Sequence, residues 1–292
     1  MDSEENTFYW NKKKAEHEDK FAQYKLALSY EKGVGTEKNL EKALYWYKEA
    51  AENGYHFAQN KVGILYQDGE GTEKNFKKAI YWYMKAAENR NEIAQYNLGE
   101  CYKIGIGIEK DEIKAFEYYK KSAEKQYVNA QFQLGNCYFD GIGTEINKTK
   151  AFEFYKIAAE KGYNNAQNSL GFLYDIGQGI EKDLEKAFYW YQKAAENGYE
   201  VAQNQFVMLY ERGEVIERNL EKILYWYQNL AENEYVKGQN DLALLYENGE
   251  GIEKNLEKSF YRYQKAAEND YEIAMYNLAL CYQYGKGIEK NL

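Results

Sequence analysis

Apolar residues return along this chain in two alternating helical stripes. From Tyr55 to Arg90, the segment YHFAQNKVGILYQDG carries Ala58, Val62, Gly63 and Tyr66 at i, i+4, i+5 and i+8, one face of an α-helix. The next segment, NFKKAIYWYMKAAEN, places Ala79, Ile80, Tyr83, Ala86 and Ala87 at i, i+1, i+4, i+7 and i+8, again a single stripe. These are helix A and helix B. Between them DGEGTEK offers Gly69 as a left-handed cap for helix A and Gly71 as the residue that lets the loop turn tightly. Asn75 precedes helix B, where a side-chain oxygen accepts a hydrogen bond from an orphan backbone N–H.

The pair of helices repeats. A tyrosine recurs every 36 residues from Tyr30 to Tyr282 without an insertion, and an Asn or Asp recurs in step from Asn39 through Asn75, Asp111, Asn147, Asp183, Asn219 and Asn255 to Asn291. A period of this length means stacked supersecondary units, none of which buries its apolar face alone. The expected organisation is one array over 1–292. A partial unit over 1–18 precedes frames at 19–54, 55–90, 91–126, 127–162, 163–198, 199–234 and 235–270, and a partial unit covers 271–292. Phe8 to Glu16 reads as a helix B without its helix A, and GIEKNL stops at the cap of another helix B. Neither end carries a visible polar cap. The expectation is a fragment of a longer array or a chain that borrows its cap, with end-to-end self-association through the termini.

Small residues mark where helices approach closely: Ala58, Ala94, Ala130, Ala166 and Ala202 on helix A, with Gly63, Gly99, Gly135 and Gly171 five residues after the first four. A tyrosine on helix B, from Tyr47 through Tyr83 to Tyr263, faces the same stripe, so the 32 tyrosines are expected to be mostly core.

The pattern AxxxLGxxYxxGxG, then Asn or Asp, then KAxxxYxKAAExG resembles the Sel1-like repeat, a relative of the tetratricopeptide repeat. LGECYKIGIG, LGNCYFDGIG and LGFLYDIGQG carry it with the spacing intact. The resemblance spans essentially the whole chain and implies an all-α, right-handed α-solenoid of helix-turn-helix repeats with a 36-residue period. It also implies a protein-interaction scaffold or adaptor with no catalysis of its own. Five positions depart from the pattern: Val215 at the second glycine, Val207 at the small helix-A residue, Ile223 and Ser259 at a helix-B alanine, and Met275 at a recurring Gln. Three of them fall in the sixth frame, the expected irregular joint.

Composition removes several function classes. A formal charge of −9 with only 2 histidines argues against a nucleic-acid binder, which needs a basic phosphate-facing surface, and against a His-rich metal site. No apolar run of about 18 residues exists to span a bilayer, and the acidic start MDSEENTFYW is unlike a signal peptide. The expected address is cytoplasmic. Cys101, Cys137 and Cys281 share one frame position, where other copies have Ser29 or leucines, so they are expected to pack as small hydrophobes. The loops GVGTEKN and GEGTEKN lack the GK[ST] ending of a phosphate loop and follow a helix, and no catalytic triad can be assembled. His17 and His56 are expected at the surface. No cofactor, metal or enzymatic activity is expected.

Function is therefore sought where the copies differ. The groove face of helix A is expected at positions 57, 60, 64 and 67 of the second frame. Position 60 becomes Asn168, Asn204 and Asn240 in the fifth to seventh frames, and position 64 becomes Phe172, Met208 and Leu244; Tyr276 and Leu280 follow in the eighth. An amide row beside an apolar row suits a partner peptide or protein: the amides bond its backbone while the apolar row receives its side chains. The competing use is internal, with the apolar row packed on a neighbouring helix and the amides solvated. A second function class is a regulatory or docking segment of a larger signalling enzyme such as a protein kinase, because the family resembled also occurs appended to catalytic domains.

Overall fold

The computed structural model describes residues 3–212, 220–232 and 235–288. Among the described residues every regular element is an α-helix, and the chain divides into two compact units, Met1–Lys161 and Gly162–Leu292. The first unit contains α1 (Ser3–Ala15), α2 (Lys20–Lys32), α3 (Leu40–Glu52), α4 (His56–Asp68), α5 (Phe76–Glu88), α6 (Glu92–Ile104), α7 (Glu112–Glu124), α8 (Val128–Asp140) and α9 (Lys148–Glu160). The second contains α10 (Asn164–Ile176), α11 (Leu184–Glu196), α12 (Glu200–Arg212), α13 (Leu220–Glu232), α14 (Val236–Asn248), α15 (Leu256–Ala267) and α16 (Glu272–Tyr284). Even-numbered helices are A helices and odd-numbered ones are B helices. Within each unit a helix packs on the one that follows it, so each unit is a stack of helical pairs, a segment of α-solenoid.

Local chemistry sets the helix ends. Helix A stops at a left-handed glycine; Gly69, at φ 77, donates its N–H to the Leu65 carbonyl at 2.9 Å. Helix B starts at its cap. Asn39, Asn75, Asp111, Asn147, Asp183 and Asn255 each accept from the backbone N–H three residues on, at 2.9–3.0 Å. Asn219 and Asn291 lie outside the described residues, as does Val215, and nothing of the Ile223 side chain is described. Replacing Asn75 by Ala is expected to cost about 0.5–2 kcal/mol, read as a lower urea midpoint, whereas Asn75→Asp should be nearly neutral.

Each pair closes on its helix-B tyrosine. Tyr47, Tyr83, Tyr119 and Tyr263 are fully buried. A Cβ on Gly63 would lie 2.5 Å from Cδ1 of Tyr83, so glycine lets the ring come in flat against helix A. Glycine is not a strict need, however. Ala27, Val207 and Ala243 hold the same position, and the matching Tyr47, Tyr227 and Tyr263 stay buried, so the ring adapts to the extra carbons.

The tyrosines divide by position. Those matching Tyr83 and most matching Tyr66 are core, but Tyr45, Tyr81, Tyr189, Tyr225 and Tyr261 are each half or more exposed. They sit two residues past the position that opens the helix-B stripe, an alanine before Tyr45, Tyr81 and Tyr189, and so face away from helix A. The Tyr66 class carries a further contact: the lysine three residues into helix B lies over its ring, as Lys78 does over Tyr66 at 5.2 Å and Lys114 over Tyr102 at 5.4 Å.

Successive pairs are joined by polar links. Gln59 Nε2 donates to the Ala51 carbonyl at 3.0 Å, tying the first turn of α4 to the end of α3, and Asn89 Nδ2 donates to Gln59 Oε1 at 3.1 Å. Gln23, Gln203 and Gln239 repeat the bond to the preceding B helix. Where α5 has Ala79, Tyr83 and Ala86, α1 has Thr7, Asn11 and Lys14, of which Thr7 and Lys14 are exposed. In α16, by contrast, Met275 and Tyr282 are exposed, at positions where α4 buries Gln59 and Tyr66.

Candidate functional groove

The amide row and the apolar row predicted for the second unit occupy different environments. Phe172 on α10, Met208 on α12 and Leu244 on α14 are 42%, 39% and 38% exposed, too open for internal packing alone. Tyr276 on α16 is largely exposed and Leu280 is half-buried. Met208 and Leu244 line one pocket of about 410 Å³ together with Tyr227, Leu245, Lys237, Asp241, Asn248 and Glu250. Its lining mixes apolar side chains with Lys237, Asp241 and Glu250.

The amides do not form the open row expected beside these residues. Asn240 is buried; it accepts from Asn277 Nδ2 at 3.1 Å and donates to Asp241 Oδ1 at 3.1 Å. Asn204 Oδ1 accepts from Lys237 Nζ at 3.0 Å, linking α12 to α14, and its Nδ2 points at Met208 Sδ. Asn168 is half-buried with its Oδ1 shielded from solvent. The same link recurs in the first unit, where Asn97 Nδ2 donates to the buried Asn60 at 3.1 Å. Asn60, Asn204 and Asn240 tie one A helix to the next, because a buried amide needs a partner and the following repeat supplies it.

In the first unit the position of the apolar row serves the core in two helices. Glu100 on α6 accepts from the Tyr119 hydroxyl at 2.7 Å, and Asn136 on α8 accepts from Tyr155 at 2.7 Å. In α2 and α14 a carboxylate one turn later takes this role, and in α4 the amide of Gln67 does. Glu31 accepts from Tyr47 and pairs with Lys61 at 2.7 Å; Glu247 accepts from Tyr263 and pairs with Lys286 at 2.6 Å. Burial pushes both carboxyls up, but the hydrogen bonds from lysine and tyrosine outweigh it and hold them below the usual carboxylate range. A second pocket of about 420 Å³ lies between α4 and α6, lined among others by Phe76, Tyr96, Glu100 and Ile104.

Residues with potential chemistry sit in structural settings. Cys101, Cys137 and Cys281 are buried free thiols. Burial pushes Cys101 up to about 11 and Cys137 up to about 12, and it raises Cys281 as well. Thiolate is scarce at neutral pH under these conditions. An aromatic disulfide reagent is accordingly expected to label the native chain on the order of a hundredfold more slowly than the urea-unfolded chain. His17 is exposed, while His56 is half-buried and accepts from Asn91 Nδ2 at 3.0 Å, with burial lowering its pKa. Among the described residues no group of three His, Cys, Asp or Glu is placed to hold a metal ion, and no helix is long and apolar enough to cross a membrane.

The repeat and its geometry have counterparts in known proteins. The Sel1 repeat family model matches residues 20–55, 56–91, 93–127, 128–163, 164–199, 199–235, 236–271 and 273–292. The solved structure of c5321, a protective antigen of uropathogenic Escherichia coli strains displaying an SLR fold, is similar at 28% identity and a TM-score of 0.72. That match covers 97% of this chain and 68% of that one. A Sel1 repeat protein from Oxalobacter formigenes is similar at 36% identity and a TM-score of 0.67, covering 73% of this chain and 85% of that one. No curated protein matches. With the family pattern matched along almost its whole length, the chain belongs to the Sel1 repeat family.

Proposed function

We propose that this chain is a non-catalytic protein-interaction scaffold that holds a partner along the A helices of its second unit. The observation that carries this is the row of Phe172, Met208 and Leu244: three large apolar side chains, each about two-fifths exposed, at one position of successive A helices. Hydrophobic side chains set singly on a surface are ordinary, whereas this row is register-matched and two of its members, Met208 and Leu244, line one pocket, which favours a contact surface. Leu280 continues the row on α16, and Tyr276 stands there at the position of Asn240. Asn204 and Asn240 support the row from within the stack, and the partner contact is assigned to the apolar side chains.

The test is capture from source-cell lysate with the intact chain and with a Met208→Glu, Leu244→Glu double variant. Both positions are exposed enough to accept a carboxylate without unfolding, which circular dichroism verifies. Proteins held by the intact chain and lost by the folded variant support the groove. An identical set of bound proteins for both places the contact surface elsewhere.

A further inference from the structure

The groove of the second unit also constrains the shape of what it holds. Met208, Leu244 and Leu280 come one per A helix, with Phe172 one repeat earlier. Lys237 on α14 bonds Asn204 on α12 and Asn277 on α16 bonds Asn240 on α14, so neighbouring A helices lie side by side and the row offers an apolar contact about every 10 Å. An α-helix returns a side chain to the same line every seven residues, about 10.5 Å. A polyproline helix does so every three residues, about 9.3 Å. A β-strand repeats a face at about 6.7 Å and falls out of step.

Hydrogen bonding decides between the two shapes that fit. An extended or polyproline segment arrives with unpaired backbone groups and needs donors and acceptors along its groove. Here the amides beside the row are already bonded between repeats: Asn240 to Asn277 and Asp241, and Asn204 to Lys237. An α-helix arrives with its backbone bonds satisfied internally and asks only for apolar contact. Across α12, α14 and α16 the row is Met208, Leu244 and Leu280, aliphatic side chains of the kind that receive an amphipathic helix, rather than the aromatic ridges that grip proline rings. Charge adds a further constraint. Asp241 and Glu250 outnumber Lys237 in the pocket lining, and the chain carries −9 overall.

We infer that the partner element is an amphipathic α-helix lying across α12, α14 and α16. Its apolar residues recur every seven positions and are flanked by lysine or arginine. This rests on the groove assignment of the proposed function.

A display library of random peptides about 25 residues long, enough to cross three repeats as a helix, tests it. Peptides are selected on the full chain, and each is then titrated against the intact chain and the Met208→Glu, Leu244→Glu variant. Should that variant unfold, Leu244→Gln takes its place. The expected winners carry apolar residues at i, i+7 and i+14 with basic flanks, and bind the variant about tenfold or more weakly. Winners that need Met208 and Leu244 but carry prolines or a three-residue apolar period overturn the helix and leave the groove standing. Winners that bind both proteins equally, or no enrichment at all, overturn the groove and the helix with it.

Discussion

Tyr119→Ala is expected to destabilise the first unit by roughly 3–5 kcal/mol, the cost of deleting a fully buried aromatic side chain. Tyr119 is 0% exposed, its ring lies flat against Gly99, and its hydroxyl donates to Glu100 at 2.7 Å. Alanine would leave a cavity between α6 and α7 and strip the half-buried carboxylate of its donor. Tyr119→Phe keeps the packing and loses only the hydrogen bond, about 1–2 kcal/mol. The matching control is Tyr81→Ala. Tyr81 is 53% exposed on α5 and its loss should stay within about 0.5 kcal/mol. Urea unfolding followed by far-ultraviolet circular dichroism reads all three. Equal losses for Tyr119→Ala and Tyr81→Ala would show that the two tyrosine positions are not core and surface.

That contrast marks where the sequence was informative. The faces of helices A and B, the Asn or Asp caps and the glycine stop are local features, each fixed by residues within about a turn or two, so periodicity exposes them. The split among tyrosines was legible as well, because Tyr81 stands two positions from Ala79 and so about 200° around the helix. It is lost when the tyrosines are counted together rather than placed on the wheel.

The amide row was not legible in the same way. Asn60 bonds Asn97 and Asn240 bonds Asn277, partners 37 residues apart that meet only when one repeat stacks on the next. Composition at a single frame position shows that a side chain is polar and varies, not whether it faces solvent or the neighbouring repeat. The apolar row was found by that variation, since Leu28 and Ile64 give way to Glu100 and Asn136 and then to Phe172, Met208 and Leu244. Its exposure came from the stack.

The loop glycines carry the other large effect, and Gly143→Ala is expected to cost about 2–4 kcal/mol. Two independent terms add. Gly143 has φ +65, a left-handed conformation that costs an L-residue on the order of 1 kcal/mol. A Cβ there would also lie 2.0 Å from the Glu112 carbonyl oxygen and 2.6 Å from its carbon, in the first turn of α7. Those are backbone atoms of the preceding B helix, so no side-chain rotation relieves the contact and the loop must lift off its neighbour. Gly71 makes the same approach to the Leu40 carbonyl, at 2.4 Å, so this glycine serves the seam between repeats as well as the turn itself. Gly54 separates the terms. It has φ +77 with nothing within 4 Å of a built Cβ, so Gly54→Ala should show the conformational cost alone, about 1 kcal/mol. A Gly143→Ala loss no larger than that of Gly54→Ala would mean that the loop does not rest on α7 and that the seam is held elsewhere.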